Sequence, residues 1–200
     1  MKKLLIATNN QGKVIEIKKI FKGIYDEVYS FKDLEIELET IEDGNTFLEN
    51  ARKKAYEGFK EVGYDTLADD SGLCVDALNG APGIYSSRFA GENATDSDNN
   101  KLLVQKLEGV PLPRRTGRFV CSLCLVRVDK PEITAKGEVK GVLISESKGT
   151  NGFGYDPHFY VEDYDMTMAQ LSSDIKNSIS HRAKALMSLK QKILDESKKA

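Results

Sequence analysis

Little in this chain of 200 residues is extreme, and what it lacks narrows the choices. No apolar run approaches the ~20 residues that cross a bilayer. Leu4–Ala7 follows two lysines in the manner of a secretion signal, but it is shorter than the ~7–15 apolar residues such a segment needs. The chain is therefore expected to be cytoplasmic, with no membrane partner. Net charge is close to nil: 29 Lys+Arg against 31 Asp+Glu give -2. That argues against a nucleic-acid binder, which usually carries a basic surface. The three cysteines are too few, and odd in number, for a disulfide framework. Cys121 and Cys124 form a C-x-x-C, but no second pair or nearby histidine completes a zinc site. They are expected to be buried on opposite faces of one strand. There is no internal repeat, no low-complexity segment and no long linker, so residues 1–200 are read as one domain, with two lobes.

What is present reads as α/β. Lys3–Ala7 is a short apolar strand. In Lys13–Phe21, Val14, Ile17 and Phe21 make the stripe of an amphipathic helix. Thr46-Phe47-Leu48-Glu49 fits a capping box, and Phe47, Ala51, Ala55 and Phe59 carry a helix to about Lys60. Thr66–Asp69 predicts a short strand leading into a polar turn, Asp69-Asp70-Ser71-Gly72. Thr95 to Asp98 predicts a capped helix with Leu103 and Leu107 inward. Arg118–Val128, apolar at both parities, predicts a central strand; Asp129–Glu132 a turn; Ile133–Ile144 its partner. From Ser180, Leu186, Leu189 and Ile193 mark a closing helix, and the charged tail from Asp195 to Ala200 is expected to fray.

Chemistry-bearing residues gather in four places. Thr8-x-Asn10-x-x-Lys13 lies in a strand–loop–helix turn, where free N–H groups, the helix dipole and a lysine suit an anion. It lacks the glycines of a Walker A loop, and a capped helix start alone also explains it. Glu42, Asp69 and Asp70 offer the hard oxygens that Mg²⁺ prefers, with Ser71 alongside; a helix-cap loop and an acidic turn are the plain alternative. In Thr150–Pro157, glycines flank Phe153 and Tyr155, either of which could stack on a base or plug the core. Lys176, His181 and Arg182 lie near the start of the closing helix, where its dipole disfavours cations. A bound anion or a base carbonyl would account for them, and so would a solvated helix face.

Taken together and in this order, these segments resemble the inosine triphosphate pyrophosphatase family. The most specific pieces are Ala68–Leu73, Gly80–Phe89, Asn151–Pro157 and Ser180–Arg182, so the match spans nearly the whole chain. The resemblance implies an elongated α/β fold: a long mixed β-sheet with flanking helices, two lobes and a central active-site cleft, in a homodimer. It implies phosphate binding by Thr8, Asn10, Lys13 and Lys54, and metal binding by Glu42 and Asp70, with Asp70 also the general base. It implies a substrate contact at Ser71, base binding by Phe153, Gly154, Tyr155 and Asp156, and contacts to the base and its 6-oxo group by Lys176, His181 and Arg182. Asn9 departs from the family, where glycine is common, but asparagine also tolerates positive φ.

The expected reaction is Mg²⁺-dependent hydrolysis of a non-standard purine nucleoside triphosphate (dITP, ITP or XTP) to its monophosphate and pyrophosphate. Arg182 has only donors and would pair with a 6-oxo group but face the amino group of adenine donor to donor. A Maf-like pyrophosphatase for modified pyrimidine nucleotides, a nucleotide sensor without turnover and a ligand-free structural protein are the competing readings.

Overall fold

The computed structural model describes residues 1–198. Along the chain run β1 (Lys3–Ile6), α1 (Gln11–Phe21), β2 (Glu27–Ser30), α2 (Phe47–Val62), β3 (Thr66–Val75) and α3 (Asp96–Lys106). They are followed by β4 (Thr116–Arg127), β5 (Lys130–Leu143), β6 (Phe159–Val161), β7 (Met166–Thr167), α4 (Ser173–Ile179) and α5 (His181–Ser197). The strands form one seven-stranded sheet in the order β2-β1-β3-β4-β5-β6-β7. It is mixed: β1 is parallel to both β2 and β3, whereas β5–β6 and β6–β7 are antiparallel.

The chain divides into two compact units. Unit 1 comprises Met1–Asp70, Cys121–Gly137 and the segment from Arg182 onward; unit 2 comprises Ser71–Val120 and Glu138–His181. Unit 1 has cores on both faces of its strands. Leu4, Ile6, Leu67, Cys121, Leu123 and Leu125 pack with Val14 and Ile17 of α1 and with Leu186 and Leu189 of α5. Leu5, Ala7, Ala68, Cys124 and Val126 face the other way, toward Ala51 and Ala55 of α2. Side chains alternate along a strand, so burial on both faces requires the unbroken apolar runs of β1 and β4. The same alternation separates Cys121 from Cys124, and among the described residues neither forms a disulfide. Gly58 lets α2 lie close to the sheet, since a Cβ there would come within 3.2 Å of both Ala7 Cβ and Leu5 Cδ2. Unit 2 gathers Leu73, Val75, Leu103, Leu107, Phe119, Tyr155 and Phe159 in a core of its own.

Helix starts follow their local signals. Asn10 caps α1 by accepting from Lys13 N, Thr46 caps α2 from Glu49 N, and Thr95 with Asp98 completes a capping box on α3. At α2 the box is shifted, because the Glu49 carboxylate takes Asn45 N at 2.7 Å.

Three expectations change. β3 does not stop at Asp69; it runs through Asp70, Ser71 and Gly72 to Val75, so the expected acidic turn is mid-strand. The β4–β5 turn is tighter than expected, with β5 resuming at Lys130 after Asp129 adopts φ 51. Lys176 lies on the separate helix α4, which Ser180 ends before α5 begins. Of the charged tail expected to fray, Asp195 to Ser197 are helical, and Lys199 and Ala200 lie outside the described residues.

Candidate active site

In unit 1 the extended course of β3 sends Asp69 and Asp70 to opposite faces. Asp69 is buried, and Lys13 Nζ of α1 meets its two oxygens at 3.0 and 2.9 Å. Arg182 Nε of α5 lies 3.4 Å away, and Arg182 Nη1 is also 3.4 Å from Glu16 of α1. Burial alone would raise the Asp69 carboxyl, but Lys13, Arg182 and Lys54 hold it well below the usual carboxylate range. A bound anion, a base carbonyl or a solvated helix face were the readings open for Lys176, His181 and Arg182; Arg182 is buried and meets Asp69 and Glu16 of the chain itself.

On the other face, Asp70 Oδ1 lies 3.2 Å from Lys54 Nζ, and Glu42 Oε1 lies 3.0 Å from the same ammonium. Asn50 of α2 donates to Asp70 Oδ2 at 3.2 Å. Burial raises the Asp70 carboxyl, Lys54 pulls it down, and the charge of Glu42 pushes it up again. Burial works against the charge on Lys54, but Asp70, Asp69 and Glu42 outweigh it and raise its pKa. Among the described residues no three His, Cys, Asp or Glu side chains form a ready metal cage. Two carboxylates that converge on one cation do match what a hard divalent ion takes when phosphates and water complete its shell.

The Thr8–Lys13 segment forms the expected strand–loop–helix turn. Thr8 Oγ1 accepts from Asn10 N at 3.2 Å, and the Asn10 carboxamide caps the helix at 3.1 Å. Of the first-turn N–H groups of α1, that of Lys13 is met by the Asn10 cap, and those of Gln11 and Gly12 have no intrahelical acceptor.

In unit 2 the loop from Asn151 to Asp156 is tied at nearly every residue. Asn151 Nδ2 donates to Leu171 O at 3.1 Å and Phe153 N to Asp156 Oδ2 at 3.0 Å. Gly154 donates to Asp96 at 2.7 Å and accepts from Asn100 Nδ2 at 2.8 Å. Tyr155 is only 5% exposed and donates its hydroxyl to Ser86 O, so it plugs the core, whereas the Phe153 ring is 57% exposed. Lys176 pairs with Asp156 at 2.5 Å and sits 4.9 Å from the Phe153 ring centroid. His181 stacks on Phe119, with centroids 5.2 Å apart. Ser71 is half-buried on β3.

A sequence comparison matches residues 4–192 to the Ham1 family. The chain belongs to the Ham1 family. It is 50% identical to a dITP/XTP pyrophosphatase of Desulforamulus reducens over 184 residues, covering 92% of each chain. Its fold is similar to that of the Staphylococcus aureus Ham1 protein, with a TM-score of 0.89, 43% identity and coverage of 98% of this chain and 100% of that one. A HAM1 protein from Coxiella burnetii gives a TM-score of 0.90 at 36% identity, with the same coverage. The α/β class and mixed sheet expected from the sequence are those of Ham1 structures.

Several partners of the candidate side chains escaped sequence reasoning: Glu16 and Asn50 in unit 1, Asp96 and Asn100 in unit 2. Only Asn50 carried a signal. It precedes Lys54 by one helical turn, on a face that should otherwise be apolar.

Proposed function

We propose that the chain is a Mg²⁺-dependent pyrophosphatase for purine nucleoside triphosphates with a 6-oxo base: dITP, XTP and ITP. The observation that carries this reading is the convergence of Glu42 and Asp70 on Lys54. The name of the Desulforamulus relative, dITP/XTP pyrophosphatase, supports the substrate. Glu42 and Asp70 would hold Mg²⁺, which when bound would neutralise charge on the phosphate oxygens.

Asp70 takes the proton of a water whose oxygen bonds to the α-phosphorus. The bond from that phosphorus to the bridging oxygen breaks, and the oxygen leaves with pyrophosphate. Lys13 and Lys54 balance phosphate charge, since phosphoryl-type transfer rests mostly on positioning and electrostatics. Thr8 and Asn10 shape the turn that offers the α1 N–H groups to an anion. Ser71 contacts the substrate. The exposed Phe153 ring stacks on the base, beside Gly154, Tyr155 and Asp156, and Lys176 and His181 help to hold it. Arg182, oriented by Asp69 and Glu16, reads the 6-oxo group. An adenine amino group there leaves a donor unpaired, at a cost of ~1–3 kcal/mol. A homodimer belongs to the same proposal and rests on the family resemblance; a monomer mass by light scattering would remove it.

The test is pyrophosphate release from dITP, XTP, dATP and dGTP, each with and without Mg²⁺. Fast, metal-dependent release from dITP and XTP alone is expected. Equal release from all four would remove the Arg182 argument. Release from none would favour a nucleotide sensor.

A further inference from the structure

Asn50 is the fourth residue of α2, wholly buried, one turn before Lys54. Asparagine is a poor helix former, and a buried carboxamide is costly unless both its ends are met. Here both are. Its Oδ1 accepts from Gly44 N at 2.8 Å, and its Nδ2 donates to Asp70 Oδ2 at 3.2 Å. A backbone N–H can only donate and an ionised carboxylate only accept, so the carboxamide has one way round. Gly44 lies two residues beyond Glu42, so one side chain joins the loop carrying Glu42 to the strand carrying Asp70.

This link also divides the two oxygens of Asp70. Oδ2 is taken by Asn50, and Oδ1 faces the Lys54 ammonium that Glu42 also meets. Packing at the loop enforces the approach. A Cβ at Gly44 would come within 2.6 Å of Asn50 Oδ1 and 2.8 Å of Glu49 Cβ, so only glycine lets the loop lie this close.

We propose that Asn50 is a positioning residue for the metal-binding pair: it sets the orientation of Asp70 and the approach of the Glu42 loop. The inference rests on the reading of Glu42 and Asp70 as that pair. Partners that orient metal ligands typically matter by ~10–100-fold in metal affinity or activity.

The experiment uses the full chain and two readouts: Mn²⁺ binding without nucleotide, followed by the paramagnetic resonance of the free ion, and the Mg²⁺ dependence of pyrophosphate release from dITP. Asn50→Ala is expected to weaken Mn²⁺ binding, and to raise the Mg²⁺ needed for half-maximal turnover, by ~10–100-fold. Its KM for dITP at saturating Mg²⁺ should stay near the wild-type value. Gly44→Ala strains the same link from the loop side and should move both readouts in the same direction, which keeps the test open if Asn50→Ala does not fold. A merely structural role would lower the melting temperature of either variant and leave its metal requirement unmoved. Wild-type metal affinity in a folded variant would overturn the inference and leave the pyrophosphatase reading standing. A wild-type chain that neither binds Mn²⁺ nor releases pyrophosphate would overturn both.

Discussion

Adjacent on β3, Asp69 and Asp70 face different cations because side chains alternate along a strand. Asp69 meets Lys13 and Arg182, whereas Asp70 meets Lys54. A buried ion cluster is weak evidence for stability, because desolvation offsets much of the Coulombic gain. Removing one partner is another matter, since it strands the charges that remain. Asp69→Ala is therefore expected to destabilise the fold by about 3 kcal/mol, the low end for a broken buried pair. The low end applies because Glu16 still faces Arg182 and the Lys13 side chain is 18% exposed. Urea unfolding measures this, and a loss under about 1 kcal/mol would mean that the cluster relaxes freely. The same residues show a limit of sequence reading. Asp-Asp-Ser-Gly has the composition of a turn, yet the strand continues through it. The Asp69 carboxylate is met by Lys13, 56 positions away, and by Arg182, 113 positions away, and no local pattern reveals such partners.

Among the elements, α3 serves the loop that bears Phe153. Asp96 and Asn100, one turn apart on that helix, grip Gly154 by its N–H and its carbonyl. Tyr155 anchors the next residue in the core, which leaves Phe153 as the exposed ring. If Phe153 stacks on the base, loosening this grip should weaken substrate binding more than turnover. Asn100→Ala removes one hydrogen bond, worth about 1 kcal/mol, so the KM for dITP should rise about fivefold with kcat little changed. Steady-state kinetics over a range of dITP concentrations separates the two, and an unchanged KM would show that the loop holds its shape without Asn100. The start of α3 was legible in the sequence, because the Thr95–Asp98 capping box is local. The cap at Thr46 was legible for the same reason, whereas at α1 only a capped start somewhere in Thr8–Lys13 was legible, not Asn10 itself. β2, β6 and β7 were not. They span two to four residues, too short for a periodic signal, and their neighbours in the sheet define them.

For the whole molecule, a net charge of -2 conceals a concentrated local balance. In unit 1, Glu16, Glu42, Asp69 and Asp70 face Lys13, Lys54 and Arg182. Four carboxylates against three cations leave the cluster one formal charge negative. Every member of this cluster except Glu16 was singled out in the sequence, but its charge balance was not readable there, since that depends on which groups the fold brings together. The balance has a consequence. If this cluster takes the triphosphate, as proposed, several negative charges join a site already slightly negative, and like charges repel. Binding should therefore depend on a divalent ion far more than the lysine count alone suggests. A non-hydrolysable dITP analogue at about a hundredfold over its Kd should stabilise the fold by about 2.7 kcal/mol, a rise in melting temperature of about 5–10 °C for a chain of this size. That rise should appear with Mg²⁺ and largely vanish when EDTA replaces it. Asp70→Asn removes one of the two carboxylates proposed for the metal and should shrink the metal-dependent part. An equal rise in EDTA would mean that Lys13 and Lys54 alone carry the phosphates, and that Glu42 and Asp70 meet Lys54 for structural reasons.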